Sequence, residues 1–145
     1  MEIKIEPMSQ SDLEKSAELT LEAFGKQGLG EPWTLDTARK HELEVFNTKY
    51  SYKATEGGKT VGVIVALPVT YELGTELFID TIAVAKDKRG RGIGKILWEK
   101  AAENAKQKGL VGVRLLGNPK LRSFKWYQKE FGMHPSGWVE LTNHF

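Results

Sequence analysis

Cysteine is absent from the 145-residue sequence. Thiol nucleophiles, disulfides, thiolate zinc sites and iron–sulfur clusters are therefore excluded. The three histidines, His41, His134 and His144, lack the regular spacing of histidine metal motifs, so we expect them on the surface and expect no metal site. Long apolar runs are absent too, since the longest, Val61–Val69, is far too short to cross a membrane.

A strong charge of one sign is also missing. The chain carries 21 Lys and Arg against 19 Asp and Glu, and this net charge of +2 does not by itself indicate a nucleic-acid partner. The N-terminal segment has no apolar stretch of the kind that secretory signals contain, which predicts a cytoplasmic protein. A length of 145 residues, of which 40% are hydrophobic, fits a single soluble domain over residues 1–145.

Hydrophobic periodicity predicts that strands and helices are mixed along the chain. Alternation with period two indicates strands, whereas apolar residues three or four positions apart indicate helices. The predicted strands are 2–6, 50–55, 60–69, 77–84, 111–116 and 138–141, and the predicted helices are 13–24, 33–46, 92–108 and 118–130. The Gly57-Gly58 turn makes the second and third strands antiparallel, and the helical crossover between the fourth and fifth strands makes those two parallel. The predicted fold class is α/β, with a mixed sheet covered by helices.

Two short motifs predict where helices begin. Ser11-Asp12-Leu13-Glu14 has the spacing of a capping box. Asn118-Pro119 places a favoured N-cap residue before a proline at the first helical position. We therefore expect the first helix to begin just after Ser11 and the last helix to begin just after Asn118.

The segment Lys86–Lys95, between the fourth strand and the third helix, carries the chemistry. Glycines alternate at positions 90, 92 and 94, which lets the backbone turn tightly and expose its N–H groups. The helix that follows adds unpaired N–H groups and the positive end of its dipole. The segment has five basic side chains and one Asp, and it predicts a pyrophosphate site made largely of backbone.

Two other phosphate-binding motifs do not fit this segment. A Walker A loop needs Gly six positions before its Lys and Ser or Thr directly after it, but Arg89 and Ile96 occupy those positions around Lys95. A dinucleotide-binding G-x-G-x-x-G would need Gly at position 95. The pattern that remains is R-x-x-G-x-G, from Arg89 to Gly94.

This pattern is similar to the R/Q-x-x-G-x-G/A loop that binds the pyrophosphate of acetyl-CoA in the GNAT (GCN5-related N-acetyltransferase) superfamily. The order of elements resembles that family over nearly the whole chain, and Tyr127–Met133 looks like its Y-x-x-x-G-F element, with Met133 where Phe is usual. The resemblance implies one GNAT-type domain of α+β type, whose mostly antiparallel sheet contains a parallel, splayed pair of fourth and fifth strands. It also implies an acetyl-CoA-dependent N-acetyltransferase.

The resemblance also implies where the cosubstrate binds. Backbone N–H groups of Arg89–Lys95 would hold the pyrophosphate, and the fourth strand, splayed from the fifth at a β-bulge, would pair with the pantetheine arm. The N–H of Ile82 or of Ala83 would polarise the thioester carbonyl. The implied binding residues are Ile82, Ala83, Val84, Arg89, Gly90, Arg91, Gly92, Ile93, Gly94 and Lys95. Whether the basic side chains among them touch phosphate or form a solvated loop is left open.

The implied reaction is direct attack of an amine on the thioester within a ternary complex. Tyr127 is the candidate that donates a proton to the departing thiolate, and the alternative is that it belongs to an aromatic core. Some family members carry a Glu base on the fourth strand, at a position where this chain has Phe78. Asp80 shares the face of Phe78 in a regular strand, which makes it the candidate base. The alternative is that Asp80 orients the substrate or bonds to a loop.

The resemblance places the acceptor site on the first two helices and on the loop Phe24–Trp33, and it implies a small-molecule or peptide amine. It implies no nucleic-acid or membrane partner, and it leaves a homodimer open. Two other functions stay open. One is a catalytically silent acyl-CoA-binding domain, which Phe78 favours. The other is a nucleic-acid-binding module that uses Lys86–Lys95, although no stacking aromatics interleave those charges.

Overall fold

A computed structural model describes residues 2–145 as a mixed α/β fold of five strands and four α-helices, which confirms the predicted fold class. In chain order the elements are β1 (Ile3–Pro7), α1 (Leu13–Phe24), α2 (Leu35–Val45), β2 (Tyr52–Glu56), β3 (Lys59–Tyr71), β4 (Gly74–Val84), α3 (Ile93–Gln107), β5 (Val113–Leu115) and α4 (Arg122–Phe131). Short 3-10 turns precede α1 at Gln10–Asp12 and follow β4 at Lys86–Lys88.

The chain divides into two compact units, each of which is described by itself. The first unit ends at Leu115 and contains the whole sheet with α1, α2 and α3. The second unit, Leu116–Phe145, contains α4.

The sheet has the strand order β1-β2-β3-β4-β5. The first four strands are antiparallel neighbours, and β5 pairs with β4 in parallel, as the sequence predicts. The hairpin between β2 and β3 turns on Gly57 and Gly58, whose φ angles are 58° and 79°. A type I′ turn needs positive φ at both central positions, and glycine adopts this conformation without steric cost.

A β-bulge interrupts β4 at Asp80. Val65 of β3 pairs with Thr81, whereas the next β3 residue, Ala66, pairs with Ile79, so Asp80 is the extra residue. The bulge changes which side chains face α3. Leu77 and Ile79 pack into the core beside α3 ahead of the bulge, and beyond it Ile82 and Val84 do so. An extra residue inverts the alternation of a strand, which explains this change of phase.

The parallel pair is short and then separates. β5 pairs with β4 only from Leu77 to Ile79, and β5 ends at Leu115, the partner of Ile79. β4 continues for five more residues, to Val84, without a β5 partner. The splayed pair with a bulge that the family resemblance implies is therefore present.

Each face of the sheet has its own hydrophobic core. On the α3 side, Ile93, Leu97 and Ala101 pack on strand residues that include Ile64 and Leu77. On the α1 side, the buried cluster contains Met8, Leu13, Leu19, Val63, Val65 and Ala83. Complete burial of each large aliphatic side chain stabilises the fold by about 1.5–3 kcal/mol. The two cores hold the β4 edge and the start of α3 in place.

The first helix covers residues 13–24 as predicted, but its predicted cap and the predicted start of the last helix are wrong. The cap before α1 forms between Ser9 and Asp12, where the Ser9 N–H donates to Asp12 Oδ2 at 2.8 Å. Ser9 and Asp12 lie three positions apart, as Ser11 and Glu14 do, so the spacing alone does not distinguish the two pairs. Asn118 does not cap α4, which begins at Arg122. Instead Asn118 Oδ1 accepts the Lys120 N–H at 3.0 Å, the local turn that asparagine side chains favour.

The predicted last strand is also wrong. Within the described part of the chain, residues 138–141 belong to no strand, and Trp138, Val139 and Leu141 are exposed. Alternation shows which side chains could share a face, but a strand also needs a neighbouring backbone to satisfy its N–H and C=O groups.

Candidate active site

The glycine loop joins the free end of β4 to α3. Gly90 and Gly92 both have φ of 80°, and Gly92 occupies the position just before the helix. A Cβ at either position would meet open space, so the backbone conformation and not packing requires glycine there. Gly94 lies inside the first turn of α3, so the tight turn depends on two of the three alternating glycines.

The start of α3 presents backbone donors. The first hydrogen bond of the helix runs from the Ile96 N–H to the Gly92 carbonyl at 3.1 Å. The N–H groups of Ile93 and Gly94 belong to the turn ahead of it, where an α-helix supplies no acceptor. This end of the helix also carries the positive pole of its dipole, so the local structure can bind an anion.

Acidic and backbone groups of the protein hold the charged side chains of the loop. Arg91 donates to both oxygens of Glu56, at 2.6 and 3.2 Å, and Lys88 lies 3.0 Å from the same carboxylate. The hydrogen bonds from Arg91 lower the pKa of Glu56 to about 2. Arg89 donates from Nε to the Val84 carbonyl at 3.0 Å. The sequence leaves open whether these side chains are solvated, and the structure shows Lys88, Arg89 and Arg91 engaged with the protein.

At the unpaired edge of β4, only some of the predicted binding residues have a backbone N–H that faces away from β3. The Ala85 N–H donates to the Val61 carbonyl at 2.8 Å, which sets the alternation at the end of β4. In an antiparallel pair, alternate residues bond to the same neighbour. The N–H of Ala83 therefore faces β3, and those of Ile82 and Val84 face the side on which β5 has ended.

Asp80 lies at the bulge and bonds to a histidine of α2. His41 Nε2 lies 2.9 Å from both Oδ1 and Oδ2 of Asp80. The Thr81 hydroxyl donates to Asp80 Oδ2 at 2.8 Å. The Asp80 side chain is 14% exposed and that of His41 is 36% exposed. The carboxylate thus accepts hydrogen bonds from both neighbours, and the imidazole is the more exposed of the paired side chains.

An aromatic ring contacts His41 from the loop after α1. The Trp33 and His41 ring centroids are 5.4 Å apart and the planes are inclined by 54°. Trp33 Nε1 in turn donates to Glu31 Oε1 at 2.9 Å. Thr34 caps the helix that carries His41, because its hydroxyl accepts the Thr37 N–H at 3.1 Å. The family resemblance implies the acceptor site in this region.

Glu42, next to His41 on α2, is a buried acid. It is 1% exposed, and its Oε1 accepts the Thr20 hydroxyl at 2.8 Å. Within residues 2–145, Oε2 has no hydrogen-bond partner. Burial raises the pKa of the Glu42 carboxyl, and the nearby hydroxyls of Ser16 and Thr20 oppose that rise only in part.

Tyr127 lies on α4 in the second unit. Its ring is 5.0 Å from that of Trp126 and 6.4 Å from that of Phe131, centroid to centroid. Burial raises the pKa of Tyr127 to about 12, so its hydroxyl keeps its proton at neutral pH. The aromatic neighbours fit a role in a core, and the retained proton fits a donor.

Sequence reasoning missed His41, which it expects on the surface. The structure half-buries this side chain and pairs it with Asp80. A signal was present in the periodicity, because His41 and Glu42 lie one turn after the buried Ala38 and one turn before Val45. The partner of the histidine could not be found this way, since Asp80 lies on a distant strand.

No group of three or more His, Cys, Asp or Glu side chains within residues 2–145 is arranged to hold a metal ion. Over the same residues, no helix combines the length and the apolar character that a membrane crossing requires.

Solved structures share this fold. A possible acetyltransferase from Clostridium difficile 630 matches with a TM-score of 0.80 at 19% identity, over 99% of this chain and 97% of that chain. The ribosomal-protein-alanine N-acetyltransferase from Brucella melitensis biovar Abortus 2308 has a TM-score of 0.75 at 21% identity, over 100% of both chains. An aminoglycoside N-acetyltransferase in complex with CoA has a TM-score of 0.75 at 18% identity, over 99% of this chain and 95% of that chain.

The sequence itself carries the family signal. No curated protein sequence is significantly similar to the chain. The model of the acetyltransferase (GNAT) family matches residues 14–133, which include strands β2 to β5, the glycine loop and α4. From this match and from the shared fold, we conclude that the chain belongs to the GNAT family of acetyltransferases.

Proposed function

We propose that the chain is an N-acetyltransferase, built as one domain over residues 1–145, that moves an acetyl group from acetyl-CoA to a primary amine. The observation that carries this proposal is the meeting of two features at the end of β4. These are the glycine loop ahead of α3 and the strand edge that β5 leaves unpaired after Ile79. Solved structures of this fold hold CoA or acetyl-CoA, which supports the choice of cosubstrate.

The phosphate end of the site is backbone. Because Gly90 and Gly92 carry no Cβ and open space surrounds them, a pyrophosphate could approach the main chain closely. The N–H groups of Ile93 and Gly94 would then complete a helix N-terminal anion site. We assign the whole segment Arg89–Lys95 to this role. The Arg91 side chain would contribute positive charge to the phosphate site while it stays bonded to Glu56. Because Glu56 already holds this side chain, less conformational entropy is lost when the cosubstrate binds.

The thioester end of the site is the β4 edge. The Val84 N–H would pair with the pantetheine arm as the backbone of an added strand does, while the Val84 carbonyl stays bonded to Arg89. The N–H of Ile82 faces the open side, so it is the donor that we assign to the thioester carbonyl oxygen, where negative charge develops during attack. Ala83 borders the same edge, but its N–H faces β3 and cannot serve as that donor.

Two protons must move during the reaction. An alkyl ammonium has a pKa of about 10, so it must lose a proton before its nitrogen can form a bond to the carbonyl carbon. We assign the accepting site to the neighbourhood of Asp80, whose carboxylate lies at the bulge two residues before Ile82. As the carbon–sulfur bond breaks, the thiolate takes a proton, and Tyr127 is the donor that we propose on the family resemblance.

The acceptor is a small-molecule or peptide amine. The related structures include enzymes named for a ribosomal-protein alanine and for aminoglycosides, so amines of both kinds occur among proteins of this fold. In this chain, Trp33 and His41 form one wall of the proposed acceptor site. A nucleic-acid partner is not part of the proposal, because Lys88, Arg89 and Arg91 of the loop are bonded within the protein.

Thermal unfolding with acetyl-CoA tests the proposal, with NADH and ATP as controls. A ligand that binds only the folded state adds about 2.7 kcal/mol at a hundred times its dissociation constant. We expect a higher Tm with acetyl-CoA alone. The absence of a shift at millimolar acetyl-CoA would overturn the proposal.

Thiol release separates an enzyme from a silent binder. We expect free CoA thiol to appear when acetyl-CoA is mixed with an amine panel that contains an alanine-initiated peptide, spermidine and kanamycin. Binding without thiol release from any amine would favour the acyl-CoA-binding alternative, which Phe78 suggests.

A further inference from the structure

We infer that His41 accepts the proton of the acceptor amine and that Asp80 is the positioning residue that holds its imidazole. The inference rests on the proposed function and deepens it, because it replaces a carboxylate base by a histidine base. Four points support the inference. They are the distances between His41 and Asp80, the proton position on Nε2 that follows from those distances, the exposed fractions of the two side chains, and the location of Asp80 at the β4 bulge.

The geometry decides which nitrogen carries the proton. Nε2 lies 2.9 Å from both carboxylate oxygens, and an ionised carboxylate can only accept. The Thr81 hydroxyl donates to the same carboxylate, so Asp80 acts as a hydrogen-bond acceptor in its contact with Thr81 as well. Nε2 therefore carries hydrogen, and in the neutral imidazole the lone pair is on Nδ1.

The order of exposure favours the histidine as the group that meets substrate. The Asp80 side chain is 14% exposed, whereas the His41 side chain is 36% exposed. Within residues 2–145, Nδ1 makes no hydrogen bond, so its lone pair is available. Nδ1 is thus the acceptor left on the more exposed partner, while the carboxylate is already bonded to His41 and Thr81.

The pair also lies at the right part of the sheet. Asp80 is the bulged residue where the β3 and β4 register shifts, one residue beyond the last pair with β5. Ile82, whose N–H we assign to the thioester oxygen, is two residues further along, or about 7 Å between Cα atoms. The bulge thus turns Asp80 toward α2 while it leaves the Ile82 N–H on the open edge.

The surroundings keep His41 in one orientation. Trp33 contacts one side of the ring at 5.4 Å between centroids, and Asp80 fixes Nε2. The charged groups near the imidazole are Asp80 of β4 and the buried Glu42 of α2. Asp80 keeps its contact with Nε2 when Nδ1 takes a proton, because Nε2 of an imidazolium still donates.

The proton balance is closed. The ammonium of the acceptor gives one proton to Nδ1, its nitrogen bonds to the carbonyl carbon, and the carbon–sulfur bond breaks. His41 is then an imidazolium held by Asp80, and it returns to the neutral form by loss of that proton to water. The thiolate receives its proton from Tyr127. The nitrogen loses its second proton to water as the amide forms, and Tyr127 regains a proton from water.

The first arm of the test reads the tautomer directly. Nitrogen-15 spectra of protein labelled at histidine contain only three side chains, and His41→Gln identifies the relevant signals. We expect neutral His41 to carry hydrogen on Nε2 in the wild type. We expect Asp80→Asn to shift the population toward the Nδ1–H form, because the asparagine side chain can also donate. An Nδ1–H tautomer in the wild type would overturn the inference.

The second arm reads turnover by thiol release with kanamycin and with an alanine-initiated peptide. If neither amine is acetylated, the slower hydrolysis of acetyl-CoA is the readout, since water must lose a proton in the same way. We expect His41→Gln to lower kcat by about 10²–10⁴-fold with the KM for acetyl-CoA unchanged. Asp80→Asn should lower kcat as well, and the exposed His134→Gln control should match the wild type.

The outcomes separate this inference from the proposed function. If acetyl-CoA fails to stabilise the wild type, the proposed function fails. If acetyl-CoA stabilises both the wild type and His41→Gln, and the variant keeps its kcat within twofold, only the role of His41 fails.

Discussion

Glu56, at the end of β2, holds Arg91 of the glycine loop through hydrogen bonds of 2.6 and 3.2 Å. The contact spans 35 residues of sequence and ties the β2–β3 hairpin to the start of α3. It explains how a glycine-rich loop, which would otherwise lose much conformational entropy on binding, is ordered within the fold.

This ion pair gives a prediction for acid stability. Because Arg91 and Lys88 lower the pKa of Glu56 to about 2, from an ordinary value of 4.5, the carboxylate contributes stability above pH 4.5. That contribution is lost as the pH falls through the folded value. We expect Glu56→Gln to be less stable than the wild type at pH 7, with a difference that narrows toward pH 3.

Urea denaturation at pH 7, 5 and 3 measures this difference. Glu44→Gln, at an exposed position of α2, is the matched control and should follow the wild type throughout. A Glu56→Gln difference that does not vary with pH would contradict the prediction.

Glu42 gives the opposite pH dependence. Burial raises the pKa of its carboxyl, so the folded state favours the protonated form. Stability from this group is fully present below pH 4.5 and is lost as the pH rises through the folded pKa. We expect Glu42→Gln to be more stable than the wild type at pH 8 and similar at pH 4, because Gln can still accept the Thr20 hydroxyl.

Thermal unfolding from pH 4 to pH 8 checks this expectation. Glu42→Ala should be destabilised at every pH, by about 1–3 kcal/mol, because it leaves the buried Thr20 hydroxyl unpaired. A wild type that gains stability relative to Glu42→Gln as the pH rises would count against the assigned pKa direction.

Gly94 tests the phosphate site. It lies in the first turn of α3 with an ordinary helical backbone, so Gly94→Glu should leave the fold intact. A carboxylate there would repel the pyrophosphate and occupy its place, and we expect the rise in Tm with acetyl-CoA to disappear. Gln107→Glu adds the same charge at the other end of α3 and should keep the rise. Normal acetyl-CoA binding by Gly94→Glu would show that the pyrophosphate lies elsewhere.

Leu97 tests the core on which α3 rests. It is completely buried, and we expect Leu97→Ala to lower the free energy of unfolding by about 2–5 kcal/mol through lost burial and the cavity that remains. Leu73 is 82% exposed, so Leu73→Ala should change it by less than about 0.5 kcal/mol. Urea denaturation of both variants makes the comparison, and equal losses would contradict the packing described here.

Tyr127 tests the proton donor. Tyr127→Phe removes only the hydroxyl, so we expect the fold and the KM for acetyl-CoA to be retained while kcat falls by about 10²-fold or more. Steady-state thiol release measures both constants. A variant with the kcat of the wild type would assign Tyr127 to its aromatic cluster with Trp126 and Phe131.

Local pattern predicted the strands and helices up to β5, with shifts of a few residues at their ends. In the last 30 residues it predicted α4 but not its start, since Asn118 forms a local turn, and it predicted a strand at Trp138 where none forms. Small free-energy differences between residues of similar helix propensity decide where a helix begins. A strand forms only where a neighbouring strand satisfies its backbone N–H and C=O groups.

The sequence by itself determined the order of elements, the Gly57-Gly58 hairpin and the glycine loop, because these depend on residues that are adjacent in the chain. It also determined the family, through the motif from Arg89 to Gly94. Tertiary structure decided the rest. The bulge at Asp80 inverts the alternation of β4, so that the N–H of Ile82 and not that of Ala83 faces the open edge, and folding brings His41 to Asp80 across 39 residues. Register and long-range contacts arise from packing between elements, which no local pattern encodes.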